Sequence, residues 1–197
     1  LLANRSNLII DLTTRRNLEL VETLLGRERK GSLLEAVDST CTSMGARKLK
    51  EWILRPLCDK DAIKLRHDLC QDLVENEEAR AELRRELKTI VDIERLLARV
   101  SYGTFNAREL LGIGTSLAKL PNFVQVVKRL KSPAWQTIEK GLEQDAEELI
   151  ELSHLLERAI NPEAPLSLKE GGIIRQSYSA ELDKLREFHS HGKEWLN

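Results

Sequence analysis

The sequence has few of the residues that interrupt helices and few aromatic side chains. Of its 197 residues, 10 are glycine and 5 are proline, and aromatic residues make up 4%. Hydrophobic residues account for 41% and charged residues for 32%. This composition is typical of a soluble globular protein rich in long helices, because Leu, Glu, Lys and Arg favour helix while Gly and Pro oppose it. The length allows one domain or two small ones.

Targeting and cross-linking features are also scarce. No apolar run approaches the roughly 20 residues that a membrane span needs, and residues 1–5 lack the layout of a signal peptide. We therefore expect no membrane partner. The missing initiator Met and an end inside an apparent helix lead us to expect a piece of a longer polypeptide. Cys41, Cys58 and Cys70 share no CxxC spacing, which argues against a disulfide framework or a zinc site and favours the cytoplasm.

An excess of positive charge is lacking as well. The net charge is −1, whereas a domain that holds duplex DNA by itself usually carries a basic excess to neutralise phosphates. Glutamates dilute the clusters at Arg84-Arg85 and at residues 27–30. Only residues 128–131, which include Lys128, Arg129 and Lys131, form a small uncompensated patch that could touch a phosphate in a larger assembly.

No group of residues has the spacing of a catalytic, cofactor or metal site. A G-x-x-x-x-G-K-[ST] phosphate loop is absent. Residues 112–116 resemble part of one, but no lysine follows, and their helical pattern predicts glycines at a close helix contact. His189 and His191 point away from each other on a helix. The acidic residues at 143–148 form the polar side of a predicted helix. We predict no catalytic, cofactor-binding or metal-binding residues.

Hydrophobic periodicity predicts a chain of helices. One runs from Thr13 or Thr14 to a stop at Gly26, after a short strand at residues 8–10. The longest periodic stretch is Ala134–Ile160, whose apolar stripe implies a helix of roughly 40 Å. The other predicted helices cover residues 43–55, 59–88, 92–103, 106–119, 122–130 and 179–197. The predicted fold is all-α: an irregular multi-helical bundle with long lever-like helices and at most one or two very short strands.

Four segments in order resemble the core, or lever, domain of the MutS family of DNA mismatch-repair proteins. Asp11 and residues 14–20 resemble the motif D-x-x-T-x-R-N-L-E-L. Residues 43–57 resemble T-x-M-G-x-R-x-L-x-x-W-L-x-x-P-L. Residues 92–96 resemble D-[LI]-E-R-[LI], and residues 171–186 resemble the stretch that leads to the clamp. Gln176 and Ser177 depart from this pattern, because they replace a step that contains glycine.

The resemblance implies domain bounds and a function. Residues 1–10 would lead in from a connector domain, 11–178 would form the helical core, and 179–197 would begin the helix to the clamp. The core would couple the DNA-clamping region to the ATPase region of the full-length protein without being an enzyme itself. Residues 134–160 and 179–197 would be its rigid elements. ATP, Mg²⁺, mismatched duplex DNA bound by other domains, a MutL-type partner and homodimerisation are expected only for the full-length protein.

The motif residues are all assigned structural roles. Side chains at 16, 17 and 19 would tie a helix start to its neighbours, and residues 44–45 would allow tight packing. Trp52 would be a core anchor worth about 3–5 kcal/mol on truncation, and Pro56 would set the chain direction. The full set is Asp11, Arg16, Asn17, Glu19, Met44, Gly45, Arg47, Trp52, Pro56, Asp92, Glu94, Arg95, Gly171 and Gly172.

Three other functional classes are compatible with parts of the sequence. A stand-alone helical adaptor that binds a protein partner would explain the helices and balanced charge, but not four ordered motifs. A small helical hydrolase based on carboxylates would need a convergent titratable cluster, which the sequence lacks. The anti-recombination branch of the MutS family is a further alternative, although the opening motif looks more like the repair branch.

Overall fold

The structure is a computed structural model that describes residues 7–195, with side chains described up to residue 189. This range contains eleven α-helices and one 3-10 turn, Leu168–Glu170. Its only β pairing is two isolated antiparallel bridges, Asn7 with Leu57 and Ile160 with Ile174. The predicted all-α class is confirmed, and residues 8–10 are not a strand. The helices are α1 Leu12–Asn17, α2 Leu33–Val37, α3 Ser43–Leu54, α4 Lys60–Glu75, α5 Glu77–Leu87, α6 Ile93–Ser101, α7 Ala107–Leu117, α8 Leu120–Val127, α9 Pro133–Glu143, α10 Ala146–Ala159 and α11 Ala180–Trp195.

Polar side chains at the N-caps explain where several helices begin. Thr42 accepts a hydrogen bond from the Gly45 N–H, and Asp59 accepts one from the Ala62 N–H. Asn106 and Glu109 form a reciprocal capping box at the start of α7. Each cap satisfies a backbone donor that has no partner inside its helix. The cap of α3 is Thr42, one residue before the predicted Ser43.

The predicted helix up to Gly26 is wrong, because α1 ends at Asn17. Glu19 has a positive φ of 48° and its carbonyl accepts the Leu33 N–H at 3.0 Å, so the backbone turns towards α2. Leu18 and Leu25, which the helical spacing would put on one apolar face, are 60% and 88% exposed. The segment up to Gly26 has the apolar spacing of a helix, but backbone hydrogen bonds to α2 hold it in a different conformation.

The two longest predicted helices are each divided in two. Residues 134–160 form α9 and α10, separated at Asp145, whose φ of 58° lies in the left-handed region and cannot continue an α-helix. Residues 59–88 form α4 and α5, separated at Asn76. The Asn76 side chain donates to the Asp72 carbonyl oxygen at 2.9 Å, which caps the end of α4. Periodicity continues across both breaks and therefore does not reveal them.

The chain divides into two compact units. One comprises Leu1–Asp92 with Pro121–Gln144, and the other Ile93–Leu120 with Asp145–Asn197. In the first, Ala79, Val126 and Leu130 form a small core. This core is fastened by Asp72, which is 6% exposed and accepts hydrogen bonds from the backbone N–H groups of Lys131 at 2.7 Å and Ser132 at 2.8 Å.

The second unit is built on a close contact between α7 and α10. A Cβ on Gly114 would lie 3.1 Å from Leu156 Cβ, so only glycine leaves both helices where they are. The buried Ser153 hydroxyl donates to the Gly114 carbonyl oxygen at 2.8 Å. Ala107, Ile160 and Ala164 form the adjacent core. The predicted close helix packing in residues 112–116 is confirmed at Gly114.

One stretch meets the length and composition expected of a membrane span. Ala107–Val127 has a mean hydropathy of 1.2 over its most apolar window, of which 33% is buried. This differs from the expectation that no apolar run approaches the length of a membrane span. A core helix of a soluble protein passes the same test, and one such segment is weak evidence for a membrane.

We predict that Gly114→Val lowers the free energy of unfolding by about 2 kcal/mol, because the added atoms overpack the contact with α10. Gly141→Val is the matched control, since a Cβ on Gly141 meets no atom within 4 Å. That variant should be neutral or slightly stabilised, because valine favours helix more than glycine does. Urea denaturation followed by circular dichroism measures both, and equal effects would contradict the tight contact.

Candidate functional site

The first motif segment contains the short helix α1. The Asp11 carboxylate accepts the Thr14 hydroxyl at 2.6 Å and the Thr14 N–H at 2.9 Å. These two bonds hold the pKa of Asp11 below its usual value. The Glu19 carboxylate accepts the Leu24 N–H at 2.6 Å. Arg16 and Asn17 are exposed, and their predicted ties to neighbouring elements are not found among the described residues.

The second motif segment forms the start of α3. The Gly45 N–H donates to the Thr42 hydroxyl at 2.9 Å, and a Cβ on Gly45 would lie 3.0 Å from that oxygen. Glycine therefore allows the cap to sit close to the helix. Met44, next to it, is half-buried.

The second and third motif segments are joined by one ion pair. Arg47 Nη1 lies 2.6 Å from Asp92 Oδ2, and Arg47 Nη2 lies 2.8 Å from Asp92 Oδ1. This is a bidentate fork that links residues 45 positions apart in the sequence. The pair is part-exposed, at 44% for the arginine and 18% for the aspartate side chain. The parallel bonds fix both distance and orientation, so the pair holds α3 against the residue that precedes α6.

Trp52 is not the predicted core anchor. It is 40% exposed, and the Arg66 guanidinium stacks 3.8 Å from the ring centroid. A cation over an aromatic face at an exposed site contributes roughly 0.5–1 kcal/mol, which is less than a core tryptophan. Pro56 follows the end of α3, and its carbonyl oxygen accepts the Leu8 N–H at 2.7 Å. The proline thus lies where the chain from residue 7 docks.

The remaining motif residues lie at a helix start and at a turn. Glu94 is in the first turn of α6, where a negative charge suits the helix dipole, and Arg95 is exposed beside it. Gly171 and Gly172 have φ values of 76° and 68°. A Cβ would meet nothing within 4 Å at Gly171 and only a contact at 4.0 Å at Gly172. Backbone conformation, and not lack of space, therefore favours glycine there.

Two carboxylates with structural roles were missed in the sequence. Asp72 holds the loop before α9, through bonds to backbone groups that are far away in the sequence. Asp38 accepts the Thr40 hydroxyl at 2.7 Å and also pairs with Arg29. The Thr40 bonds are the main cause that lowers the pKa of Asp38, and Arg29 adds to them.

Two of the three cations in the basic patch predicted at residues 128–131 are compensated in the folded chain. Lys128 Nζ lies 2.8 Å from a Glu143 carboxylate oxygen, which raises the pKa of the lysine. Arg129 pairs with Glu82. Both acidic partners lie outside the patch in sequence, so composition alone could not show them. The prediction of an uncompensated patch is therefore wrong for Lys128 and Arg129.

The arrangement of titratable groups favours packing over chemistry. Among the described side chains, no three His, Cys, Asp or Glu residues are placed to hold a metal ion. His191 lies outside those side chains. Cys41, Cys58 and Cys70 are free thiols. The motif residues make caps, ion pairs and turns at separate places, and they do not converge on one cleft.

Comparison with known proteins assigns the chain to a family. The family profile described as MutS domain III matches residues 13–195. The chain belongs to the MutS domain III family. The DNA mismatch repair protein MutS of Halothermothrix orenii is 42% identical over 189 residues, which is 96% of this chain and 21% of that protein. The MutS of Halalkalibacterium halodurans is 43% identical over 187 residues, with 95% and 21% covered.

The resemblance to the MutS core is therefore confirmed. This MutS domain III chain spans about a fifth of the length of the curated relatives it matches. The family match supports a MutS mismatch-repair module, and the part of MutS that it identifies is domain III. The adaptor hypothesis is not favoured, because the family match covers nearly all the described chain.

We predict that Arg47 and Asp92 are energetically coupled by about 1 kcal/mol, near the upper end for a part-exposed pair because the fork is bidentate. A double-mutant cycle with Arg47→Ala, Asp92→Ala and the double variant, measured by urea denaturation, gives this value. Arg47→Lys keeps the charge but loses the fork, and should recover less than half of the coupling. Additive single substitutions would show that the two motif segments are held independently.

Ser177 lies in the step before Tyr178 where the family pattern has a glycine. Its φ of 67° lies in the left-handed region, which costs a residue with a Cβ roughly 1 kcal/mol. We predict that Ser177→Gly raises the free energy of unfolding by about 0.5–1 kcal/mol. Gln176→Gly, at an ordinary backbone position, should instead lower it. Thermal melts of both variants test this, and a destabilised Ser177→Gly would contradict it.

Proposed function

We propose that this chain is the structural core of a mismatch-repair protein and couples its DNA-clamping region to its ATPase region, with no catalytic residue of its own. The observation that carries the proposal is the Arg47–Asp92 fork, in which two family motifs bind each other. Motif residues used in this way maintain a shape. A maintained shape is what a part that transmits movement requires.

The rigid elements of the second unit differ from those expected from the sequence. Residues 134–160 are not one lever, so α10, with 14 residues, and α11, with 16, take that role. The α7–α10 contact stiffens α10 through Gly114 and the Ser153 hydrogen bond. At 1.5 Å per residue, α11 is roughly 24 Å long. Close-packed helices do not deform continuously, so a displacement at one end moves the whole element.

The location, cofactors and partners of the full-length protein are proposed from its relatives. The matched relatives are named as DNA mismatch repair proteins. We extend to this protein the cytoplasmic location, the use of ATP and Mg²⁺, homodimerisation, a MutL-type partner and mismatched duplex DNA as the object bound by other domains. In this view the chain contributes stiffness and geometry, while recognition and hydrolysis take place elsewhere in the polypeptide.

Breaking α10 tests the coupling. Glu151 is exposed near the middle of α10, and Glu151→Pro removes a helical hydrogen bond and inserts a ring that clashes with the preceding turn. In the full-length protein we expect mismatch binding to persist, while ATP-dependent release from a mismatched duplex slows about tenfold, equivalent to about 1.4 kcal/mol. Fluorescence anisotropy of a labelled G·T duplex measures both quantities.

Glu151→Ala is the matched control, because it removes the same side chain and keeps the helix. It should release DNA at the parental rate. Circular dichroism of this chain with each substitution separates a local break from loss of the fold. Release of DNA by the folded Glu151→Pro protein at the parental rate would show that α10 does not transmit the movement.

A further inference from the structure

A polar pocket lies at the C-terminal end of α10 in the second unit. It has a volume of about 520 Å³ and is lined by Arg158, Arg175, Gln176, Ser177 and Tyr178. Two arginines, two hydroxyl-bearing residues and one glutamine therefore line the same space. Residues 175–178 lie in the fourth motif segment, but neither they nor Arg158 belong to the set of motif residues assigned structural roles.

Backbone pairing brings the two arginines together. The Arg175 N–H donates to the Ala159 carbonyl oxygen at 2.8 Å, and the Asn161 N–H donates to the Ile173 carbonyl oxygen at 2.8 Å. These bonds place the segment after Gly172 antiparallel to the end of α10. Arg158, in the last turn of α10, consequently lies beside Arg175. The left-handed Ser177 then turns the chain so that Tyr178 closes the pocket.

The positive charge of this pocket is not neutralised within the described side chains. Arg175 Nε is buried and has no hydrogen-bond acceptor. Neither Arg158 nor Arg175 has a carboxylate partner among residues 7–189. The nearby Asp183 carboxylate is already engaged by Arg186 Nη1 at 3.0 Å and by the Ser177 N–H at 2.8 Å.

A bound oxyanion would neutralise the two arginines. The dipole of α10 favours a cation in its last turn, where Arg158 lies, but it does not account for Arg175. Guanidinium forks suit phosphate and carboxylate geometry. The lining residues supply more donors than the two oxygens of a carboxylate use. A phosphate group, with three or four oxygens, matches them better.

We propose that Arg158 and Arg175, with the hydroxyls of Ser177 and Tyr178, bind a phosphate group. The phosphate can come from a free phosphate compound or from the backbone of DNA. In both cases the recognised chemistry is a tetrahedral oxyanion. This site is independent of the coupling by α10, because a rigid helix transmits movement with or without a bound anion.

Titration of this chain with inorganic phosphate tests the site. At constant ionic strength, ³¹P NMR should show saturable binding that Arg158→Gln weakens about tenfold, as expected for loss of a charge-assisted interaction. Lys169→Gln is the control, because it removes one exposed positive charge of the same unit outside the pocket. Non-saturable binding, or equal weakening in both variants, would overturn the proposal.

A second variant separates charge from geometry. Arg175→Lys keeps the positive charge but removes the guanidinium fork, so phosphate binding should weaken while the thermal melt stays unchanged. Acetate should compete poorly with phosphate, and equal competition would overturn a phosphate site. Displacement of phosphate by a short DNA duplex would identify the nucleic-acid backbone as the source. Displacement only by a nucleoside monophosphate would identify a free phosphate compound, and either result supports the site.

Discussion

Within each unit, the fold is held by side chains that bond to backbone groups of elements distant in sequence. With 4% aromatic residues, the chain has little bulk for a large core, and its buried clusters are small. Asp72 binds the N–H groups before α9, and Ser153 binds the Gly114 carbonyl oxygen. Arg108 Nε donates to the carbonyl oxygen of the fully buried Ala164 at 2.6 Å. Such bonds are directional, so they specify one arrangement of helices where apolar packing alone would allow several.

This construction fits the mechanical role that we propose. A directional contact either persists or breaks, and an element held by such contacts moves as a body. The family motifs supply several of them: the Thr42 cap at Gly45, the Arg47–Asp92 fork and the turn at Gly171 and Gly172. The motif residues of the MutS domain III family therefore maintain the geometry of the described chain. The pocket at Arg158 and Arg175 differs, because neither arginine has an acidic partner among the described side chains.

Local signals predicted much of the fold. Helix starts at Asp59 and Asn106 and the end of α3 before Pro56 follow from capping and from the restriction that proline imposes on the preceding residue. Periodicity failed where a helix ended without glycine or proline. Asp145 and Glu19 adopt positive φ with ordinary side chains, and no local rule marks them. The apolar stripe of residues 134–160 continued across Asp145, although α9 belongs to one unit and α10 to the other.

The sequence by itself determined the all-α class, the family and the close contact at Gly114, because these depend on composition, ordered motifs and local helix chemistry. Tertiary structure decided which charges meet. The patch at Lys128 and Arg129 is neutralised by Glu143 and Glu82, whereas Arg158 and Arg175 converge without a described acidic partner. The physical reason is that an ion pair depends on distance in space, and packing sets that distance between residues far apart along the chain.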